Sequence, residues 1–206
     1  MIDKDFLIVG IFFGLASGIT PGPLLTLVIS ETLIKNKREG IKVASAPIIT
    51  DPPIILITTL ILLKLSNYNL ILGFISILGS IFLCYLAYGN LFFKKFKIGN
   101  IDKSKSLEKG MIVNFLNPHP YLFWFTVGAP TLLKALDVSV YTVILFITGF
   151  YIFLVGSKIL IVLIVERYRN FLESRIYEYL IKLTGILLLF FAFSFLKDGL
   201  GFFGIL

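Results

Sequence analysis

Apolar side chains fill six long runs of this chain, over residues 6–34, 41–63, 69–93, 110–133, 139–165 and 177–203, with short polar stretches between them. About 20 apolar residues of α-helix cross the hydrocarbon core of a bilayer, so each run is long enough to be a span. The runs are continuous, whereas barrel strands alternate apolar and polar residues over ~10 positions. The pattern therefore predicts an all-α integral membrane protein with six transmembrane helices.

Two of the runs carry the same interruption: Thr20-Pro21-Gly22-Pro23 in the first and Asn117-Pro118-His119-Pro120 in the fourth. A glycine precedes each at similar spacing, Gly14 and Gly110. Proline lacks the backbone donor and clashes with the preceding turn, so Pro-x-Pro breaks a helix. Broken backbone survives at membrane depth only where protein buries it or where it lines a cavity. Two breaks at corresponding places are the sequence pointer to a transporter's binding site. Three spans per half is an odd number, so a duplicated unit must insert its copies in opposite orientations. The expected organisation is one three-helix repeat over 1–93, a basic linker over 94–109 and an inverted repeat over 110–206. Helices 1 and 4 are the broken ones.

Composition supports the membrane reading. The chain of 206 residues is 57% hydrophobic, with mean hydropathy +0.95, and only 15% charged, against about 25% in soluble domains. Its net charge of +7 suggests nucleic acid until the charges are placed. Fourteen of the 19 Lys and Arg fall in the loops after runs 1, 3 and 5, and four fall on the opposite side. Basic loops stay in the cytoplasm, so this bias sets topology and puts both termini outside, in a multi-pass protein of the cell membrane. The partners expected are the lipid bilayer and a small solute, with a homo-oligomer possible and nucleic acid excluded. Met1-Ile2-Asp3-Lys4-Asp5 is not a basic leader and no small-residue cleavage site follows, so the first run reads as a mature span. Cys84, the single cysteine, reads as a small buried apolar side chain. With one Cys and one His there is no soft-metal site, and there is no phosphate loop or triad. No cofactor is expected, and transport would be driven by an ion gradient or by exchange.

Few polar side chains interrupt the runs. Asp51 lies about ten residues into the second, roughly 15 Å along a helix. An ionisable group at that depth is costly and marks function by default. Lys158, about seven residues from the cytoplasmic end of the fifth run, either snorkels to the interface or pairs with Asp51. Glu31 reads as interfacial. His119 sits inside the second break, as a packing residue or as a substrate or proton contact. Ser17 and Thr20 offer hydroxyls beside the first break. Trp124, Phe123, Phe125 and Tyr121 serve as cavity walls or as lipid and packing contacts. Gly10, Gly14, Gly18 and Gly22 stripe one face of the first helix, a seam for close helix approach within the chain or between copies. The candidate binding set is Ser17, Thr20, Pro21, Gly22, Pro23, Asp51, Asn117, Pro118, His119 and Lys158.

The stretch Gly14-Leu15-Ala16-Ser17-Gly18-Ile19-Thr20-Pro21-Gly22-Pro23 resembles the first-helix signature of the LysE/RhtB family of amino-acid exporters. Lys35-Asn36-Lys37-Arg38-Glu39-Gly40 resembles its basic loop, Asp51 its second-helix acid, and Lys109-Gly110-Met111-Ile112-Val113-Asn114-Phe115-Leu116-Asn117-Pro118 its fourth-helix signature. The resemblance implies a six-helix secondary exporter of amino acids or related metabolites, with Pro21, Pro23, Asp51, Asn117 and Pro118 as carried-over site positions. The chain also departs from the pattern. Thr50 stands where the family usually has glycine, and Phe123 where basic-amino-acid exporters tend to carry an acid, although Asn117-Pro118-His119 leans towards that subgroup. A cationic substrate needs buried counter-charge, and Asp51 is the one clearly central carboxylate, so a neutral amino acid or another small solute stays open. The competing readings are a divalent-cation transporter and an intramembrane enzyme or assembly subunit.

Overall fold

The structure is a computed structural model that describes residues 3–65, 69–92, 105–167 and 175–205. Most of the expected linker, residues 94–104, lies outside the described residues, as do residues 168–174.

Every described element is helical: α1 (Asp3–Ile19), α2 (Pro23–Ile34), α3 (Lys37–Ala44), α4 (Ala46–Leu65), α5 (Asn69–Leu91), α6 (Ser106–Leu116), α7 (Pro118–Phe123), a π turn (Trp124–Gly128), α8 (Ala129–Val138), α9 (Val140–Arg167) and α10 (Arg175–Phe202). Among the described residues, four stretches are long and apolar enough to cross a membrane: Lys37–Lys64, Gly73–Leu91, Val140–Arg167 and Gly185–Phe202. The first expected span is two helices, α1 and α2, bent by 61°. Counting that pair as one span gives five. The fourth expected span, 110–133, is built from α6, α7, the π turn and α8, the longest of them 11 residues.

Both breaks fall where the prolines predicted, and they share a construction. An extended residue, Gly22 or Asn117, precedes a proline in the first turn of the next helix, Pro23 or Pro118. That turn needs no donor from proline, whose fixed φ suits it. The Asn117 side chain caps α7 by accepting from the His119 N–H at 3.2 Å, and no side chain caps α2. Pro52 and Pro53 do not break α4; they lie on its outward face.

Two helix pairs form the frame, α1 along α9 and α5 along α10. Glycines make both contacts close. A Cβ at Gly10 or Gly14 would collide with the carbonyl oxygen of Phe146 or Phe150, and one at Gly18 with Ser157. The glycine stripe is thus an internal seam with α9, and Gly22 is the exception, with open space where a side chain would go. In the second pair, Gly185 packs on the Ala87 carbonyl and Gly199 on that of Gly73. Aromatic rings fill the centre between the pairs: Phe13, Phe123, Trp124, Phe146 and Phe150 are buried together. The outward positions remain apolar, for example Leu56, Phe74, Ile152 and Phe190, as lipid contact requires. Cys84 is on that exposed side of α5. The expectation of a buried thiol was wrong because run hydrophobicity alone does not separate lipid-facing from core-facing positions.

Candidate functional site

The two breaks open onto one cavity of about 100 Å³. A single water needs ~10–15 Å³ by this measure, so the space admits several waters or one compact solute. Ser17, Thr20, Pro21 and Gly22 line it from the first break, Asn117 and His119 from the second, Asp51 from α4 and Lys158 from α9. Pro23 and Pro118 instead open the helices that follow the breaks. Phe82, Leu86, Phe123, Trp124, Phe150 and Leu154 supply apolar wall. Tyr121 is exposed, and Phe125 packs beside Leu62 and Ile75.

Asp51 stands near the middle of the Lys37–Lys64 span and is 4% exposed. A carboxylate so placed needs donors. Asn114 supplies them: its amide nitrogen reaches Asp51 Oδ1 at 2.8 Å and Thr50 Oγ1 at 2.6 Å. The Trp124 indole is a further polar neighbour of the carboxylate. Thr50, the departure from the glycine of the family pattern, is therefore part of the support of Asp51.

Lys158 is 3% exposed and donates from Nζ to the Ser17 carbonyl at 3.2 Å. It does not snorkel: the close α1–α9 seam carries it inward, onto the last turn of α1 where the break begins. Nor does it pair directly with Asp51. Among the described residues no ion pair joins the two, although they face the same cavity. His119 has ring contacts with Phe82 and Tyr85, at centroid distances of 6.0 and 5.9 Å. Thr20 returns its hydroxyl to Ala16 O at 2.5 Å and accepts from Asn90 at 3.1 Å, which ties the end of α1 to α5.

A second polar cluster lies at the far end of α2. Glu31, expected at an interface, is 4% exposed. It pairs with Lys35 at 2.8 Å and Lys109 at 3.0 Å, and Ser106 donates to it at 2.6 Å. Lys109 and Ser106 belong to α6, so this cluster joins the two broken segments below the cavity.

Asn114 escaped the sequence reading as a site residue. It sits one turn before Asn117, on the same helix face, and that spacing was the available signal. Phe82, Leu86 and Phe150 carried none, since each is one apolar residue in an apolar run.

The residues that build the cavity come from distant parts of the sequence, and comparison with known families accounts for nearly all of it. No curated protein and no solved structure matches the chain. A family model described as LysE type translocator matches residues 15–199, so the chain belongs to that family and is a multi-pass membrane transporter.

Proposed function

We propose that this protein is a secondary transporter that exports amino acids or related small metabolites from the cytoplasm by alternating access, coupled to protons or to exchange. In this reading α6, α7, the π turn and α8 are together the fourth of six spans. Residues 1–93 and 110–206 are inverted repeats joined by the linker 94–109, in the cell membrane with both termini outside. Helix pairing supports the symmetry. The packing of α1 on α9 has its counterpart in the packing of α4 against α6, the π turn and α8, and α5 with α10 is its own counterpart.

One observation carries the proposal. A buried acid, a buried base and the polar backbone of two broken helices converge on one cavity. Two buried opposite charges that are not paired with each other are costly to hold, and a binding role for a charged solute explains their retention. The roles assigned to Ser17, Thr20, Gly22, Asp51, Asn117, His119 and Lys158 are solute and ion contacts. Pro21, Pro23 and Pro118 keep the breaks open, about which the two repeats rock. A divalent cation is the weaker reading. Among the described residues no three His, Cys, Asp or Glu gather where a metal ion would bind, and Lys158 would repel one.

Efflux from proteoliposomes preloaded with labelled amino acids, with and without a pH gradient, tests the proposal. Selective efflux that accelerates with the gradient, and that Asp51→Asn abolishes in a folded, inserted protein, is the expected result. No efflux across the panel from folded wild-type protein would refute it.

A further inference from the structure

The cavity holds one carboxylate, Asp51, and one ammonium, Lys158, and their separate anchoring bears on what they bind. Asp51 is fixed from the α6 side by Asn114. Lys158 is fixed from the α1 side by the Ser17 carbonyl. An ammonium group has three donors, and only one of those on Lys158 is used in that contact. Lys158 meets the chain where α1 stops, close to the start of α2. That start has no side-chain cap, and the first backbone bond across it runs from Thr26 N to Gly22 O. The amides of Leu24 and Leu25, both on the cavity wall, thus have no partner within their helix. A helix start of this kind favours an anion.

Resting on the exporter reading, we infer that the cavity takes a compact zwitterion of zero net charge, its ammonium group on Asp51 and its carboxylate on Lys158 and the start of α2. Phe82, Phe123 and Phe150, with Leu86 and Leu154, face the remainder of the solute with apolar surface. A short, uncharged side chain fits that surface. A basic side chain would bring a second positive charge into a largely apolar cavity whose one carboxylate is already engaged. An acidic side chain would bring a second negative charge with no second ammonium or guanidinium in the cavity, where the remaining base, His119, packs its ring on Phe82 and Tyr85. Either excess charge would be buried unpaired, which is far costlier than burying a matched pair. Substrate choice then follows from charge balance: one carboxylate, one ammonium, one zwitterion.

Wild-type protein in proteoliposomes provides the test, with efflux of labelled alanine, leucine, lysine and glutamate measured from separate preparations. Unlabelled alaninamide, which lacks the carboxylate, and N-acetylalanine, which lacks the ammonium, compete for the labelled alanine. The expected result is efflux of the neutral amino acids at least tenfold faster than lysine or glutamate, with tenfold weaker competition by either analogue. Lys158→Gln should reduce neutral efflux at least tenfold and Lys158→Arg restore part of it. Lysine efflux equal to that of alanine, or full competition by alaninamide, would overturn the zwitterion assignment and leave the exporter standing. Absence of efflux for every amino acid would overturn both. The analogue comparison needs no variant, so a Lys158 substitution that fails to fold leaves the outcome decisive.

Discussion

Asn114 offers one amide nitrogen to both Thr50 and Asp51, so the orientation of the cavity's acid depends on a neighbour more than sixty residues away in sequence. Hydrogen bonds to charged groups are worth about 1.5–3 kcal/mol, and a buried acceptor left without its donor costs a similar amount. Asn114→Leu keeps the size of the side chain and removes the donor. It should destabilise the protein by about 2 kcal/mol, read as a lower melting temperature in detergent. The same change made on Asp51→Asn should cost less, because the charge that needed the donor is gone, and a double-mutant cycle measures the difference. Equal costs in the two backgrounds would show that Asn114 does not serve Asp51. Asp51 itself was legible in the sequence because a carboxylate in an apolar run contradicts its surroundings. Asn114 was not, since an amide in a span fits either a packing contact or a site. The burial of Glu31 was not legible for a related reason: Lys35, four residues on, makes an ordinary surface pair, and the two partners that bury it, Ser106 and Lys109, come from α6.

Helix breaks were legible because proline acts through covalent geometry, which no tertiary context removes. The π turn at Trp124–Gly128 was not, because it depends on what packs around it: Trp124 is fully buried, and its ring lies where a Cβ on Gly128 would go. The glycine stripe divides along the same line. Its spacing marked a close-packed face, but only the fold separates the three glycines locked against α9 from the one beside the cavity. Gly14→Ala forces a methyl group onto the Phe150 carbonyl, and backbone cannot turn aside as a flexible side chain can. Overpacking of this kind costs about 1–3 kcal/mol. Gly22→Ala meets no atom, and its extended backbone suits any residue, so stability should stay within ~0.5 kcal/mol of wild type. The paired comparison uses thermal unfolding of both variants in the same detergent. Equal losses would mean that α1 does not pack on α9 through this stripe. With Gly22→Ala folded, its efflux rate becomes informative, because the added methyl group enters the space assigned to the solute.

The basic loops and the Glu31 cluster occupy one end of the molecule. Lys35, Lys37, Arg38 and Lys42 gather around α2 and α3, and Lys105 and Lys109 stand at the start of α6. The positive-inside rule assigns that end to the cytoplasm. The path through α6, α7, the π turn and α8 decides the rest, since no single helix there is long enough to cross. If the broken segment spans, Asn36 lies inside and Asp137 outside, and both are exposed. Replacing Cys84, the single cysteine, with Ser gives a background without thiols, and Asn36→Cys and Asp137→Cys are then labelled one at a time with a membrane-impermeant maleimide. Asp137→Cys should react on intact cells and Asn36→Cys only after permeabilisation. The reverse pattern would invert the protein and turn the proposed direction of export around. Labelling of both from the same side would mean that the fourth segment does not cross. The halves would then no longer be inverted copies, and the two breaks would enter the cavity from the same face. The symmetry argued from proline spacing and the helix pairing would both lose their explanation, so this labelling experiment bears on the architecture on which alternating access depends.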